Sequence, residues 1–164
     1  MAKTLTIRDL LDIDPGRIQK SQELLKVILE DQYNILKEEN IFQRIARFLG
    51  LHKAKMFYTI YKYKVYSNSG SVYTVFIKVS PHFEEKKFLD NKIQVFCQCA
   101  DFKYRVAYGL HKRDNVFINQ VTKDHLGIAL TTPPTRVDTS NLCKHLYAVI
   151  DEFKSQLPKL IVKK

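Results

Sequence analysis

Glycine is sparse, with five residues scattered along the chain. No glycine-rich turn of the kind that cradles phosphate is present. The GxSxG and HExxH signatures are also missing, and no pair of carboxylates stands beside a lone histidine. These absences leave catalysis without its usual sequence marks. No apolar run comes near the ~18 residues that a helical membrane span needs. Charge interrupts the stretch from Met1 to Asp14, which therefore does not read as a secretory leader. Cysteine is scarce and odd in number, three in all. That argues against a disulfide scaffold and for synthesis in a reducing cytoplasm. Internal repeats and low-complexity tracts are absent.

What the chain has is an uneven positive charge. Its 164 residues carry a net charge of +10. Residues 1–50 hold eight basic and eight acidic side chains, residues 51–100 eight and three, and residues 101–164 eleven and six. The basic character therefore belongs to the second and third parts. Such a field suits nucleic acid or an acidic protein surface, and it also keeps a protein soluble.

All three cysteines lie in two tripeptides, Cys97-Gln98-Cys99 and Cys143-Lys144-His145. In an extended segment, residues i and i+2 face the same way, so Cys97 and Cys99 can grip one ion from one side. Cys143 and His145 can converge where a helix begins, with the cysteine in the cap and the histidine in the first turn. Thr139, Ser140 and Asn141 stand just before them and are good capping types. The positive end of that helix favours a thiolate. We read Cys97, Cys99, Cys143 and His145 as one structural Zn2+ site of Cys3His type. Three core cysteines and an unrelated histidine would use the same residues, but then one cysteine at least should fall outside the two pairs. His111 and His125 are rival fourth ligands, each without a cysteine beside it.

At these residues the sequence resembles the SWIM-type zinc finger, whose signature is CxC, a variable insert, then CxH. The words around the ligands are similar to those of SWIM-bearing proteins encoded by tailed bacteriophages. They read Cys97-Gln98-Cys99-Ala100-Asp101-Phe102-Lys103-Tyr104-Arg105, then Pro133-Pro134, then Cys143-Lys144-His145-Leu146. Ala100 stands where a proline is usual, and the insert is longer than in the commonest fingers. The resemblance spans about residues 91–156. It implies a small ββα unit, with CxC at the strands and CxH at the helix start.

In chain order, Thr6 to Ile13 reads as a short helix or an extended arm with Thr6 as cap. Asp14-Pro15 starts a helix running to about Glu38, on the spacing of Ile18, Leu24, Leu25, Ile28, Leu29, Tyr33 and Leu36. Asn40 caps a second helix, Ile41 to Leu49, stopped by Gly50. Lys55 to Ser67 and Val72 to Ser80 form a β-hairpin about the turn cluster Asn68-Ser69-Gly70-Ser71. Ser80 to Asp90 is a charged loop, and Asn91 to Cys99 is the strand that delivers two ligands. Asp101 caps a helix to about Lys112. Arg113 to Ser140 reads as a long loop. The last helix runs from about Asn141 to Gln156, with Leu146, Val149, Ile150 and Phe153 inward and Pro158 ending it.

The fold class is therefore α+β. It comprises a helical segment at 1–50, a β-hairpin and charged loop at 51–90 and a zinc-stapled region at 91–164, together one compact domain. The functional expectation is a non-enzymatic structural zinc protein, since four protein ligands leave the ion no open position. The phage-like words imply a component of a tailed-phage virion, at the portal, neck, tail or baseplate. It would be made in the host cytoplasm and would contact other virion proteins, as a homo-oligomer within a large assembly and without a membrane. The alternative is a DNA-binding or recombination-associated module of the cytoplasm or nucleoid. Its non-specific DNA contacts would include Lys62, Lys64, Lys103 and Arg105.

Overall fold

The computed structural model describes residues 4–11, 19–21, 26–36, 57–135 and 142–161. Its centre is a four-stranded antiparallel sheet in the order β1 (Lys26–Leu36), β2 (Phe57–Tyr66), β3 (Val72–Val79) and β4 (Ile93–Cys97). The fold class is α+β, as the sequence implies, and the β2–β3 hairpin falls where its tyrosine-rich and β-branched runs place it.

Strict alternation divides the sheet into two faces. Tyr61, Tyr63 and Val65 of β2 share one face with Val75 and Ile77 of β3 and Val95 and Cys97 of β4, and all are buried. The last helix covers this face: Tyr61 meets Phe153 at 4.8 Å between ring centroids, and the Tyr63 hydroxyl points to Gln156. Leu146, Val149, Ile150 and Phe153 make the buried stripe of that helix. The other face carries Lys62 and Lys64 on β2, Thr74 and Phe76 on β3, and Phe96 on β4, paired across the strands as Lys62↔Phe76, Lys64↔Thr74 and Phe76↔Phe96.

Strand β1 corrects the sequence reading, which put residues 26–36 inside a long helix. The run Val27-Ile28-Leu29 followed by Tyr33, Ile35 and Leu36 fits both periods. Cross-strand pairing with β2 decides for the strand. A bulge at Glu30 separates Leu29↔Tyr63 from Asp31↔Lys62. Among the described N-terminal residues the helical content is small: Gln19 to Ser21 and α1 (Ile7–Leu10). The Thr6 cap on α1 is present, as a reciprocal capping box with Asp9. The second helix anticipated at residues 41–49, and the caps Thr139, Ser140 and Asn141, lie outside the described residues.

Three more elements depart from expectation. The helix after the first ligand pair is helical from Ala100, passes through a π-turn at Phe102–Val106 and continues as α2 (Ala107–Lys112). Asp101 lies inside this helix rather than capping it. The long insert is partly ordered as α3 (Gln120–Leu126) and a 3-10 turn at Gly127–Leu130. Asn119 and Thr122 form a capping box at the start of α3, and Gly127 leaves it with φ 51°, a backbone conformation that favours glycine. Phe117, Thr122 and Leu126 pin the insert to the core, and Val116 bridges to Val95 of β4. Finally, α4 runs Lys144–Ile161 with Pro158 inside it. A proline removes one helical donor, but the turn before it is anchored by buried Leu157, and the helix carries through.

Candidate metal centre

The site forms where β4 ends and α4 begins. Cys97 closes β4 and is fully buried on the face that α4 covers. Gln98 stays extended, its N–H donating to the Thr74 carbonyl at 3.0 Å. Cys99 therefore returns to the face of Cys97. Its carbonyl accepts from the Lys103 N–H at 3.1 Å, and its Sγ accepts from the Phe102 N–H at 3.3 Å. Cys99 thus caps the helix that follows it, taking the place expected of Asp101.

The second pair repeats this arrangement. The Cys143 carbonyl accepts from the N–H groups of Leu146 and Tyr147 at 3.1 and 3.3 Å. Cys143 is thus the N-cap of α4, and His145 lies in the first turn, as the sequence reading has it. Both sulfurs sit among the unpaired amides of a helix start, where negative charge is favoured.

His145 turns its Nδ1 to within 3.8 Å of the Cys97 Sγ. The ring of Tyr73 lies over it, with centroids 4.3 Å apart and planes at 36°. Its Nε2 is buried and has no hydrogen-bond partner among the described residues. Packing against Tyr73, rather than a hydrogen bond to the far nitrogen, orients this imidazole.

One donor atom from each of Cys97, Cys99, Cys143 and His145 lies within 4.8 Å of the others, and all four residues are buried. Burial pushes the Cys97 and Cys143 thiols up. Hydrogen bonds from Cys143 and Cys97 hold Cys99 far below the usual thiol range. All three sulfurs are almost wholly removed from water, so a negative charge on any of them is costly without a cation beside it. Three sulfurs and an imidazole are a soft, tetrahedral-type donor set. The cluster could hold a metal ion.

The rival ligands do not join. His111 is exposed at the end of α2. His125 packs edge-on against Phe96 on the opposite sheet face. Burial, reinforced by the charge of Lys103, keeps His125 below its ordinary pKa. The candidate nucleic-acid contacts fall into two groups. Lys62 reaches Glu30 at 2.8 Å and Lys64 reaches it at 4.0 Å, with Lys64 also donating to Thr74 at 3.3 Å. The carboxylate lifts the Lys62 pKa. Lys103 lies over the Tyr104 ring at 5.3 Å, and Arg105 pairs with Asp101 at 3.4 Å. Glu30 and Tyr73 are functional neighbours that the sequence did not advertise. The bulge that aims Glu30 and the register that places Tyr73 exist only in the paired sheet.

The fold and this centre define an α+β protein with a buried Cys3His group able to hold a metal ion. No protein-family model matches the chain, and neither a curated protein nor a solved structure matches it. Among the described residues, no helix is long and apolar enough to cross a membrane.

Proposed function

We propose that this chain is a structural zinc protein that acts through its surfaces, as a component of a tailed-phage particle. The observation that carries the reading is the burial of all four donors at the junction of β4, the helix after it and α4. Zn–S bonds of about 2.3 Å and Zn–N bonds of about 2.1 Å, at a tetrahedral angle, place sulfur and nitrogen ~3.6 Å apart. The Nδ1 to Sγ distance of 3.8 Å agrees with that. Zinc bound by all four ligands has no place for water, so it ties segments together rather than reacting. The particle assignment is supported by the phage-like words around the ligands and by the basic second and third parts of the chain.

Two measurements test the two halves of this reading separately. Elemental analysis of the purified protein is expected to give one zinc per chain. Chelation is expected to raise hydrogen exchange first at residues 93–112 and 142–157. A metal-free protein with unchanged protection would end the zinc reading. Peptide mass spectrometry of purified particles is expected to find the chain at constant copy number; its absence would end the virion reading and leave the metal result standing.

One observation favours a second reading as a DNA-binding module. The outward side of the helix spanning the π-turn and α2 presents exposed Tyr104, Arg105 and Lys112, with Lys103 and Lys112 over the rings of Tyr104 and Tyr108. Affinity for duplex DNA at two salt concentrations decides it. Binding that weakens steeply with salt reports several phosphate contacts. No binding near physiological salt assigns the charge to protein contacts.

A further inference from the structure

A hollow of ≈ 180 Å³ opens where β4 begins, on the sheet face turned away from α4. That is below the ~300 Å³ of drug-sized sites, so it suits a small ligand. Lys78 of β3 and Gln94 of β4, paired across the strands, line it with Tyr58, Ser80, Lys92 and Asp114. The Lys78 ammonium lies over the Tyr58 ring, 4.0 Å from its centroid. Gln94 holds Asp114: its Nε2 donates to the Asp114 Oδ1 at 3.0 Å and to the Asp114 carbonyl at 3.4 Å. Asp114 has φ 57° and is the one non-glycine residue among those described with a left-handed backbone. Glycine takes that conformation without cost, so the carboxylate at this position asks for a reason.

Opposite charges share this hollow without pairing. Lys78 is half-buried, and burial pushes its pKa down although the Asp114 carboxylate acts the other way. The Tyr58 ring covers one side of the ammonium, but its N–H donors have no hydrogen-bond or ion-pair partner among the described residues. Asp114 gives Oδ1 to Gln94 and leaves Oδ2 without a partner among the described residues. The Ser80 hydroxyl accepts from the His82 N–H at 3.0 Å, which leaves its own hydrogen to donate. Lys92 adds an exposed ammonium at the rim. A partly desolvated charge gains more from a counter-charge than one in open water. A lone anion here would face the Asp114 carboxylate, and a lone amine would face two lysines. A ligand carrying both charges answers both groups at once.

We propose that this hollow binds a small free α-amino acid as its zwitterion, the carboxylate held by Lys78 and Ser80 and the ammonium by Asp114. Gln94 is a positioning residue that aims the Asp114 carboxylate. The volume limits the ligand to the smaller amino acids. The inference stands apart from both readings above: it requires neither a metal ion nor a nucleic acid.

The test titrates the protein as purified with L-alanine, propionate and ethylamine, followed by amide chemical shifts in NMR. Propionate is alanine without its ammonium, and ethylamine is alanine without its carboxylate. Three variants accompany the series. Lys78→Met removes the ammonium and keeps an apolar stem. Asp114→Asn removes the charge with a residue that also visits the left-handed backbone. Lys123→Met makes the same change as Lys78→Met at an exposed position that does not line the hollow. Unchanged thermal melts verify the fold, and the ligand series on the unaltered protein tests the proposal even where a variant does not fold. L-Alanine is expected to bind at millimolar concentration, about tenfold or more tighter than propionate or ethylamine, the scale of one charge-assisted hydrogen bond. Lys78→Met and Asp114→Asn are each expected to weaken alanine by about tenfold, and Lys123→Met by less than about twofold. Asp114→Asn is expected to leave propionate binding no weaker. Propionate that binds as tightly as alanine marks a site for anions alone and overturns the proposal. Absence of alanine binding, or equal losses in Lys78→Met and Lys123→Met, overturns it as well.

Discussion

Asn115 has no exposed surface, and its side chain serves three backbone groups. It accepts from the Leu5 N–H at 2.8 Å and donates to the carbonyls of Leu5 and Ile93 at 2.9 Å each. One amide therefore holds the N-terminal arm against the start of β4. Asn115→Leu leaves those groups buried without partners and is expected to cost about 2–4 kcal/mol, read from denaturant midpoints. At the metal centre the four residues divide their work differently. Cys143→Ser is expected to abolish stoichiometric metal binding in elemental analysis, while His111→Ala keeps it, because only the former removes a donor from the cluster. The ligand residues were legible from two tripeptides, since three cysteines confined to CxC and CxH have few other uses. Asn115 was not legible, because nothing in its neighbours' identity tells that residues 110 positions apart will meet.

Among the elements, the hairpin and α4 were the ones the sequence described best. Their apolar positions follow one period without ambiguity, and their turn and cap residues agree with it. Strand β1 shows the limit. Its pattern admits a helix, and only the partner strand chooses. In the insert, Asn119 and Thr122 were a readable capping box that the proline and threonine cluster farther along obscured. That cap has a measurable worth. Asn119→Ala removes the acceptor of the Thr122 N–H, bonded at 2.8 Å, and is expected to destabilise the protein by about 1 kcal/mol. The loss is expected to appear as faster hydrogen exchange confined to residues 116–130. Exchange that rises evenly over the sheet as well would show that α3 is not a separate unit.

The described residues are built on one sheet, with α4 on one face and the insert on part of the other. This burial has an electrostatic consequence. Burial raises the phenol of Tyr63 above its ordinary value, and it does the same for Tyr61. A group whose pKa is higher folded than unfolded gives its full stability below the unfolded value and loses it as pH rises toward the folded one. Stability is therefore expected to fall above pH ~10, by about 1.4 kcal/mol per pH unit for the fully buried Tyr63. Tyr63→Phe is expected to flatten that alkaline slope by one phenol in urea titrations between about pH 9 and 11. An unchanged slope would place the alkaline transition elsewhere.

The sequence by itself determined the α+β class, the hairpin, the inward stripe of α4 and the four donors of the centre. Each of these rests on local spacing, which side-chain direction converts directly into a face or a grip. The tertiary structure alone decided that residues 26–36 form a strand and that Cys99 caps its helix in place of Asp101. It alone brought Lys78 and Asp114 to one hollow. These depend on which segments come to lie side by side, and register between segments distant in the chain is set by packing and pairing rather than by any residue's own preference.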